Sequence, residues 1–346
     1  MSPTNEYTTV KNTYVTLNNG EKMPVLGLGT WKGKPGEVEA SVQTALRVGY
    51  RHIDCAKAYG NQTGIGQALQ DLYKEGKVSR KDFWLTTKLW NTDHGEVRKN
   101  CLESMKELQT EYLDLYLVHW PVTPHKGSEL TPSMKDTWQQ MEKLVEEGLV
   151  KSIGISNFSV KKVEDLLQYA KIAPAVNQVE LHPYFRNEKL HKYCDSKKIH
   201  LTAYSPLGTP DSAAQQNRSD QTPHLMSDPS VKKIADKHGK HTAPILIRWA
   251  IQNGTSVIPK ATGVSHIQGN LDALNFELTP EEFQAIGSLK LQMRMLVGAE
   301  WLDPAGPYKT AEELWDGEVP EENLRLLKEK EVKPSSDTQG SINGKA

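Results

Sequence analysis

Cysteine is scarce here: Cys55, Cys101 and Cys194 are the only three in 346 residues. Their wide separation and odd number argue against a disulfide framework and for a reducing compartment. No run approaches ~18 apolar residues, so no membrane span is expected. The opening MSPTNEYTTVKN is polar and lacks the apolar centre of a secretory leader. An excess of one charge is missing too. The formal net charge of -1 gives no electrostatic case for nucleic acid or an anionic membrane as partner. No Gly-x-Gly-x-x-Gly follows an early strand; Gly27-Leu28-Gly29 is too short a signal and has no matching acid, which counts against a dinucleotide-binding doubly wound sheet. No His, Cys and Asp cluster has ligand spacing, so no metal is expected. What these absences leave is a soluble, cytoplasmic protein of one domain, with a monomer as the default expectation.

What is present is a rhythm. Apolar residues make up 37% and charged residues 25% of the chain, enough for a large core. Alternation around Asn18-Asn19-Gly20 marks a hairpin over 14–24. Strand patterns then fall at 25–31, at the step ending in Asp54, and at 83–88, 113–119, 150–156, 175–180, 200–205 and 256–260. Helical spacing separates them, as at Val38, Val42, Ala45 and Leu46, and in 65–73, 97–108, 138–147, 160–170, 188–197 and 243–252, with a last helix at 266–273. Alternating strands and helices imply a parallel sheet, and eight units favour a closed α/β architecture, the (β/α)₈ TIM barrel, over an open sheet. Three longer stretches, 122–133, 209–229 and 291–317, break the rhythm; the first two lie at the C-terminal ends of strands, where such loops shape substrate sites. The expected organisation is a flexible 1–12, a single barrel over 13–320 including the C-terminal loop, and a largely disordered tail over 321–346.

The chemistry gathers at strand ends. RHIDCAKAYGN delivers Asp54 at the end of one strand and Tyr59 five residues later. TTKLW ends the next with Lys88, and LVHWP the one after with His119. In a barrel these ends converge on one face. Reducing a carbonyl needs a hydride donor and a proton donor for the developing alkoxide. A tyrosine can be that acid if a lysine cation lowers its pKa and an aspartate holds the lysine in place; a nearby histidine orients the carbonyl oxygen. Each residue alone admits a plainer explanation, as a cap, a solvated end or a packed ring. All four at successive strand ends point to a proton-handling site.

The motifs GLGTW, DCAKAYGN, TTKLW, LVHWP, GISNF, NQVELHPY, YSPLG and IPK, in this order, resemble those of the aldo-keto reductases, in particular the aldose and aldehyde reductase-like members. The resemblance runs from the hairpin to PYKTAEELWDG at 307–317. It implies Tyr59 as general acid/base, Lys88 and Asp54 as its tuning pair, and His119 as the substrate-orienting residue. It further implies a nicotinamide cofactor. Ser156, Asn157 and Gln178 would hold the carboxamide, Tyr204 would stack on the ring, and Ser205, Leu207 and Thr209 would follow the pyrophosphate. Thr30, Trp31 and Lys32 belong to the same site, with Asp211 pairing with Lys32 as a clasp. Lys260, Ala261, Thr262, His266 and Asn270 correspond to the adenosine end, where Lys260 would meet the 2′-phosphate of NADPH. Here the chain departs from the family pattern: His266 stands where an arginine is common, so NADPH is expected with weaker discrimination and NADH as a usable alternative. Trp31, Trp90 and Trp120 are expected to wall the substrate pocket, with the loop around 295–302 closing it. The expected reaction is reduction of aldehydes, aldoses included, to primary alcohols. A ketone, hydroxysteroid or sugar-phosphate reductase is the alternative, and a cofactor-binding regulatory barrel resembling channel β-subunits is the non-enzymatic one.

Overall fold

The computed structural model describes residues 13–209 and 224–331, with side chains to 328. The chain opens with the antiparallel hairpin β1 (Tyr14–Thr16) and β2 (Lys22–Pro24). The units of strand and helix follow: β3 (Leu28–Gly29) and α1 (Glu37–Val48), β4 (His52–Asp54) and α2 (Gln62–Lys74), β5 (Trp84–Leu89) and α3 (Val97–Glu107). After β6 (Leu113–Val118) a small hairpin, β7 (His125–Lys126) and β8 (Glu129–Leu130), precedes α4 (Met134–Glu146). Then come β9 (Val150–Ser156) and α5 (Val160–Leu167), β10 (Val176–Glu180) and α6 (Glu188–Ser196), β11 (His200–Tyr204), α7 (Pro229–His238) and α8 (Thr242–Gln252), and β12 (Ser256–Val257) with α9 (Val264–Leu271). Beyond the last unit lie α10 (Pro280–Gly287), α11 (Ala311–Leu314) and α12 (Glu321–Glu331).

Eight parallel strands pair in the order β12-β11-β10-β9-β6-β5-β4-β3. Bridges from Leu26 to Val257 and from Gly29 to Lys260 join the two ends, which closes the (β/α)₈ barrel. The first and last strands are shorter than their apolar runs suggested, because regular pairing gives way to these single bridges. At the seam the backbones approach closely: a Cβ on Gly29 would stand 2.6 Å from the Ile258 carbonyl oxygen. Only glycine fits there.

Two cores follow from the period-2 alternation of the strands. Inside the barrel, Trp84, Leu115, Leu117 and Val176 pack against Leu17 and Met23 of the hairpin. The hairpin is pinned across the N-terminal mouth by Asn18, which donates to the Pro174 carbonyl at 3.0 Å, and by Asn19, which donates to Ser152 Oγ at 2.8 Å. Outside, residues such as Ile53, Leu85, Tyr116 and Ile155 meet the helices, with Val42, Leu69, Cys101, Trp138 and Trp249 among their partners. One end of the barrel is thereby plugged. The other carries the polar strand ends.

Three helices, α7, α10 and the one-turn α11, do not follow from the spacing of the sequence. In α7 Asp228 caps the backbone N–H of Ser230, Pro229 opens the first turn, and Gly239 ends the helix in the left-handed region. In α10 Thr279 and Glu282 form a capping box beside Pro280. The expectation of a loose tail from 321 also needs correcting, since 321–331 is helical. Asn323 is buried there, accepting from Arg294 N–H at 2.7 Å and donating to the Arg294 carbonyl at 2.8 Å. No described helix is long and apolar enough to cross a membrane.

Gly29→Ala is expected to lower stability by about 1–3 kcal/mol through the clash at the seam. Urea denaturation would show it as a lower midpoint with an unchanged slope, and an unshifted midpoint would contradict the close approach.

Candidate active site

The open end is built by alternation. In β5, Trp84, Thr86 and Lys88 share the inward side, and in β4 His52 and Asp54 do. Trp84 Nε1 and His52 Nε2 both reach Thr86 Oγ1, at 3.2 and 3.1 Å. One step further up, the same two strands bring Lys88 to Asp54, Nζ to Oδ1 at 2.5 Å. Both side chains are fully buried, with exposures of 0% and 1%. Such a pair persists only if every remaining polar atom is satisfied. Lys88 also donates to the Cys55 carbonyl at 2.8 Å and to Tyr59 OH at 3.3 Å. The second Asp54 oxygen accepts from Gln178 Nε2 at 2.8 Å, and the Asp54 carbonyl accepts from Thr30 Oγ1 at 2.8 Å.

Tyr59 sits on a short 3₁₀ turn, Lys57–Tyr59, closed by Gly60 at φ 66°. Its ring meets that of His119 edge-on, 5.8 Å between centroids. Burial raises the phenol to about 12, against the downward pull of the Lys88 cation. Lys88 acts in the expected downward direction, and desolvation outweighs it. The Lys88 ammonium is held above its usual range despite burial, by Asp54 and Tyr59. His119 is pushed well below the ordinary imidazole range by burial and by Lys88, so its ring is neutral, and its Nδ1 has no hydrogen-bond partner among the described residues. Together they form a protonated phenol, a fixed cation beneath it and a neutral imidazole beside it.

A cavity of about 650 Å³ opens over this floor. The expected residues Thr30, Trp31, Lys32, Asp54, Tyr59, Trp90, His119, Trp120, Ser156, Asn157, Gln178, Tyr204, Ser205, Leu207, Thr209, Lys260, Ala261, Thr262 and His266 all line it. Lys88 lies beneath, bonded to two of them. Asn270 is buried on α9 but is not part of the wall, and Asp211 lies outside the described residues. Ser156 Oγ donates to the Gln178 carbonyl at 2.7 Å, Asn157 Nδ2 to the His119 carbonyl at 2.9 Å, and Tyr204 OH to Asn157 Oδ1 at 2.7 Å. Four non-glycine residues in the wall hold left-handed backbone: Lys32, Asn157, Ser205 and Thr209, with φ between 43° and 65°. Strain concentrated along one cleft is a mark of a ligand-binding wall.

The sequence missed what holds the outer wall. Glu180, two residues beyond Gln178 on the same side of β10, is fully buried. It accepts the backbone N–H groups of Met295 at 2.5 Å and Leu296 at 2.8 Å, and pairs with His182 Nε2 at 2.9 Å. Burial pushes its pKa up, but His182, Arg294 and the Met295 N–H outweigh that and hold it below the usual range. This carboxylate ties the C-terminal segment to the barrel. The segment's Leu296, Glu300 and Trp301 complete the cavity. Trp301 packs 5.4 Å from Trp90 and 5.9 Å from Trp120, and Trp90 stands 5.2 Å from His119. A glutamate inside the wholly buried strand VNQVE was the available signal, since a buried carboxylate needs partners.

A closed barrel thus carries a Tyr, Lys, Asp and His floor under an aromatic-walled cleft. The description "Aldo/keto reductase family" matches residues 25–290, and the chain belongs to that family. It is 43% identical over 316 residues to an aldo/keto reductase of Synechocystis sp., covering 88% of this chain and 96% of that one. It is also 43% identical over 299 residues to aldo-keto reductase family 1 member A1 of Gallus gallus, covering 82% and 90%. Among solved structures, the aldose reductase of Schistosoma japonicum matches with a TM-score of 0.73 at 38% identity, covering 83% of this chain and 97% of that one.

The buried histidines give a pH dependence with a definite sign. Burial lowers His52 and His119 from 6.5, His94 to about 3 and His200 to about 4. Below pH 6.5 the unfolded chain then binds more protons than the folded one, so stability falls as pH drops. The urea midpoint is expected to hold between pH 7 and 8 and to decline from 6.5 toward 4. A midpoint flat down to pH 5 would contradict these neutral rings.

Proposed function

We propose that this protein reduces aldehydes, open-chain aldoses among them, to primary alcohols with NADPH, Tyr59 giving the proton. The observation that carries the reading is the contact chain from Tyr59 OH to Lys88 Nζ to Asp54 at the floor of the cleft. The names of relatives and of the solved neighbour, which include an aldose reductase, support it.

The residues present suit the cofactor. Tyr204 offers a flat wall, Ser156, Asn157 and Gln178 offer amide and hydroxyl partners for a carboxamide, and the strained turn from Ser205 to Thr209 leads away from them along the same cavity. Lys260, Thr262 and His266 stand at exposed positions in the loop after β12 and at the start of α9, suited to a phosphate. The cofactor, when bound, supplies the hydride to the carbonyl carbon. The chain supplies the rest. His119, neutral and with Trp90 against its ring, orients the carbonyl oxygen by a hydrogen bond. As the C=O π pair moves onto that oxygen, Tyr59 OH gives up its proton to it, and the alcohol forms. The tyrosinate left behind faces the Lys88 ammonium, whose charge Asp54 maintains. Solvent then restores the phenol. A phenol near 12 remains protonated at neutral pH, as a donor must. Lys88 counts most in the charged state that follows transfer.

We read the protein as a cytoplasmic monomer. Its three thiols are buried and unpaired, as suits a reducing compartment.

Tyr59→Phe is expected to reduce turnover of glyceraldehyde or benzaldehyde by about 10²–10⁴-fold while NADPH still quenches tryptophan fluorescence. A variant that keeps wild-type turnover would remove Tyr59 as the donor. For the cofactor, wild type is expected to bind NADPH more tightly than NADH, and His266→Arg to widen that margin by roughly tenfold, since a guanidinium is always charged and forks onto phosphate. Equal margins in both proteins, measured by fluorescence titration, would put the 2′-phosphate elsewhere.

A further inference from the structure

The cleft has an uneven distribution of charge. Its cations, Lys32 and Lys260, come from the loops after β3 and β12, and Lys32 lies 4.5 Å from the centroid of the Trp31 ring. Asp54 belongs to the floor and is committed to Lys88 and Gln178. The remaining acid in the wall is Glu300, on the 3₁₀ turn Ala299–Trp301 of the C-terminal segment. Its chain neighbour Trp301 packs against Trp90 and Trp120, which puts the turn that carries Glu300 beside the aromatic wall. Among the described residues none forms a hydrogen bond or ion pair with its carboxylate. It also lies within electrostatic reach of Tyr204.

We propose that Glu300 sets the charge class of the substrate: the site takes aldehydes that are neutral or cationic beyond the carbonyl and rejects those bearing a carboxylate or phosphate. This rests on the aldehyde-reduction reading and sharpens it, because it disfavours sugar phosphates and sugar acids as substrates. The physical reason is a negative charge on the exposed Glu300 at the rim of an aromatic-walled cleft. A second anion brought beside Glu300 meets repulsion, and the floor cation, Lys88, is already paired with Asp54. A polyhydroxyl chain instead finds a hydrogen-bond acceptor, and an ammonium finds a partner.

Three aldehydes of one shape test it: benzaldehyde, its 4-carboxy derivative and its 4-trimethylammonio derivative. The readout is the ratio of kcat/KM between them within each protein, so a general loss of activity cancels. Wild type is expected to favour the neutral over the anionic aldehyde by about tenfold or more at low salt, with the ratio shrinking as salt screens it. Glu300→Gln is expected to bring the ratio near one, and Glu300→Lys to invert it. A merely structural disturbance would lower all three rates together. A wild-type ratio near one, or a ratio that neither variant moves, overturns the proposal. If none of the aldehydes turns over, the reductase reading fails by itself, and the same comparison is made on binding of the three benzyl alcohols by tryptophan quenching. A binding preference that follows the charge at 300 then upholds the assignment, and equal binding overturns it.

Discussion

A lysine and an aspartate with almost no exposed surface, held in contact at the mouth of a barrel, are the constraint on which this structure depends. Separating two charges from water is costly unless each finds further partners. The surrounding residues supply them. The Cys55 carbonyl and Tyr59 hydroxyl take up Lys88, and Gln178 takes up the second Asp54 oxygen. Three parallel strands, β4, β5 and β10, are therefore cross-linked by polar contacts at the end where their backbones stop pairing. The same contacts that settle the ion pair position the phenol and align the amide side chains of the cleft. Satisfying a buried charge and preparing a reactive site are here one arrangement.

The opposite end of the barrel explains why these residues can be polar at all. Trp84, Leu115, Leu117 and Val176 fill the interior, and Leu17 and Met23 of the hairpin close it from below. With apolar packing completed low in the barrel, the upper positions of the same strands can carry charge. Along β5 the inward sequence Trp84, Thr86, Lys88 passes from ring to hydroxyl to ammonium in three steps. That gradient lies in the amino-acid order itself.

This is also why much of the molecule was legible beforehand. Asp54, Lys88 and His119 each follow an apolar alternating run, and period 2 fixes which side of the sheet they face. The eight-fold rhythm then sends them to one rim. The limits came where local pattern says little about distant partners. The first and last strands are held by isolated bridges across the seam, a feature of closure that neither run could announce. Glu180 looked like part of a motif because its partners are main-chain amides more than a hundred positions away. The helical stretch 321–331 is charged and reads as a tail, yet Asn323 anchors it to Arg294. The helices α7 and α10 are a different case. Asp228-Pro229 and Thr279-Pro280 are local start signals present in the sequence, standing outside the strand–helix rhythm. For Tyr59, position followed from the sequence but acidity did not, since desolvation depends on everything packed around the ring.

The manner in which Glu180 grips the C-terminal segment has an evolutionary reading. It holds Met295 and Leu296 by their backbone N–H groups, which every residue except proline possesses. The anchor is therefore indifferent to the side chains it carries, of which Leu296 lines the cleft and Met295 is buried in the core. A lineage can exchange those side chains, and with them the molecules admitted, while the point of attachment stays where it is. Substrate range and structural integrity are written in different parts of the same peptide units, and one can drift without disturbing the other.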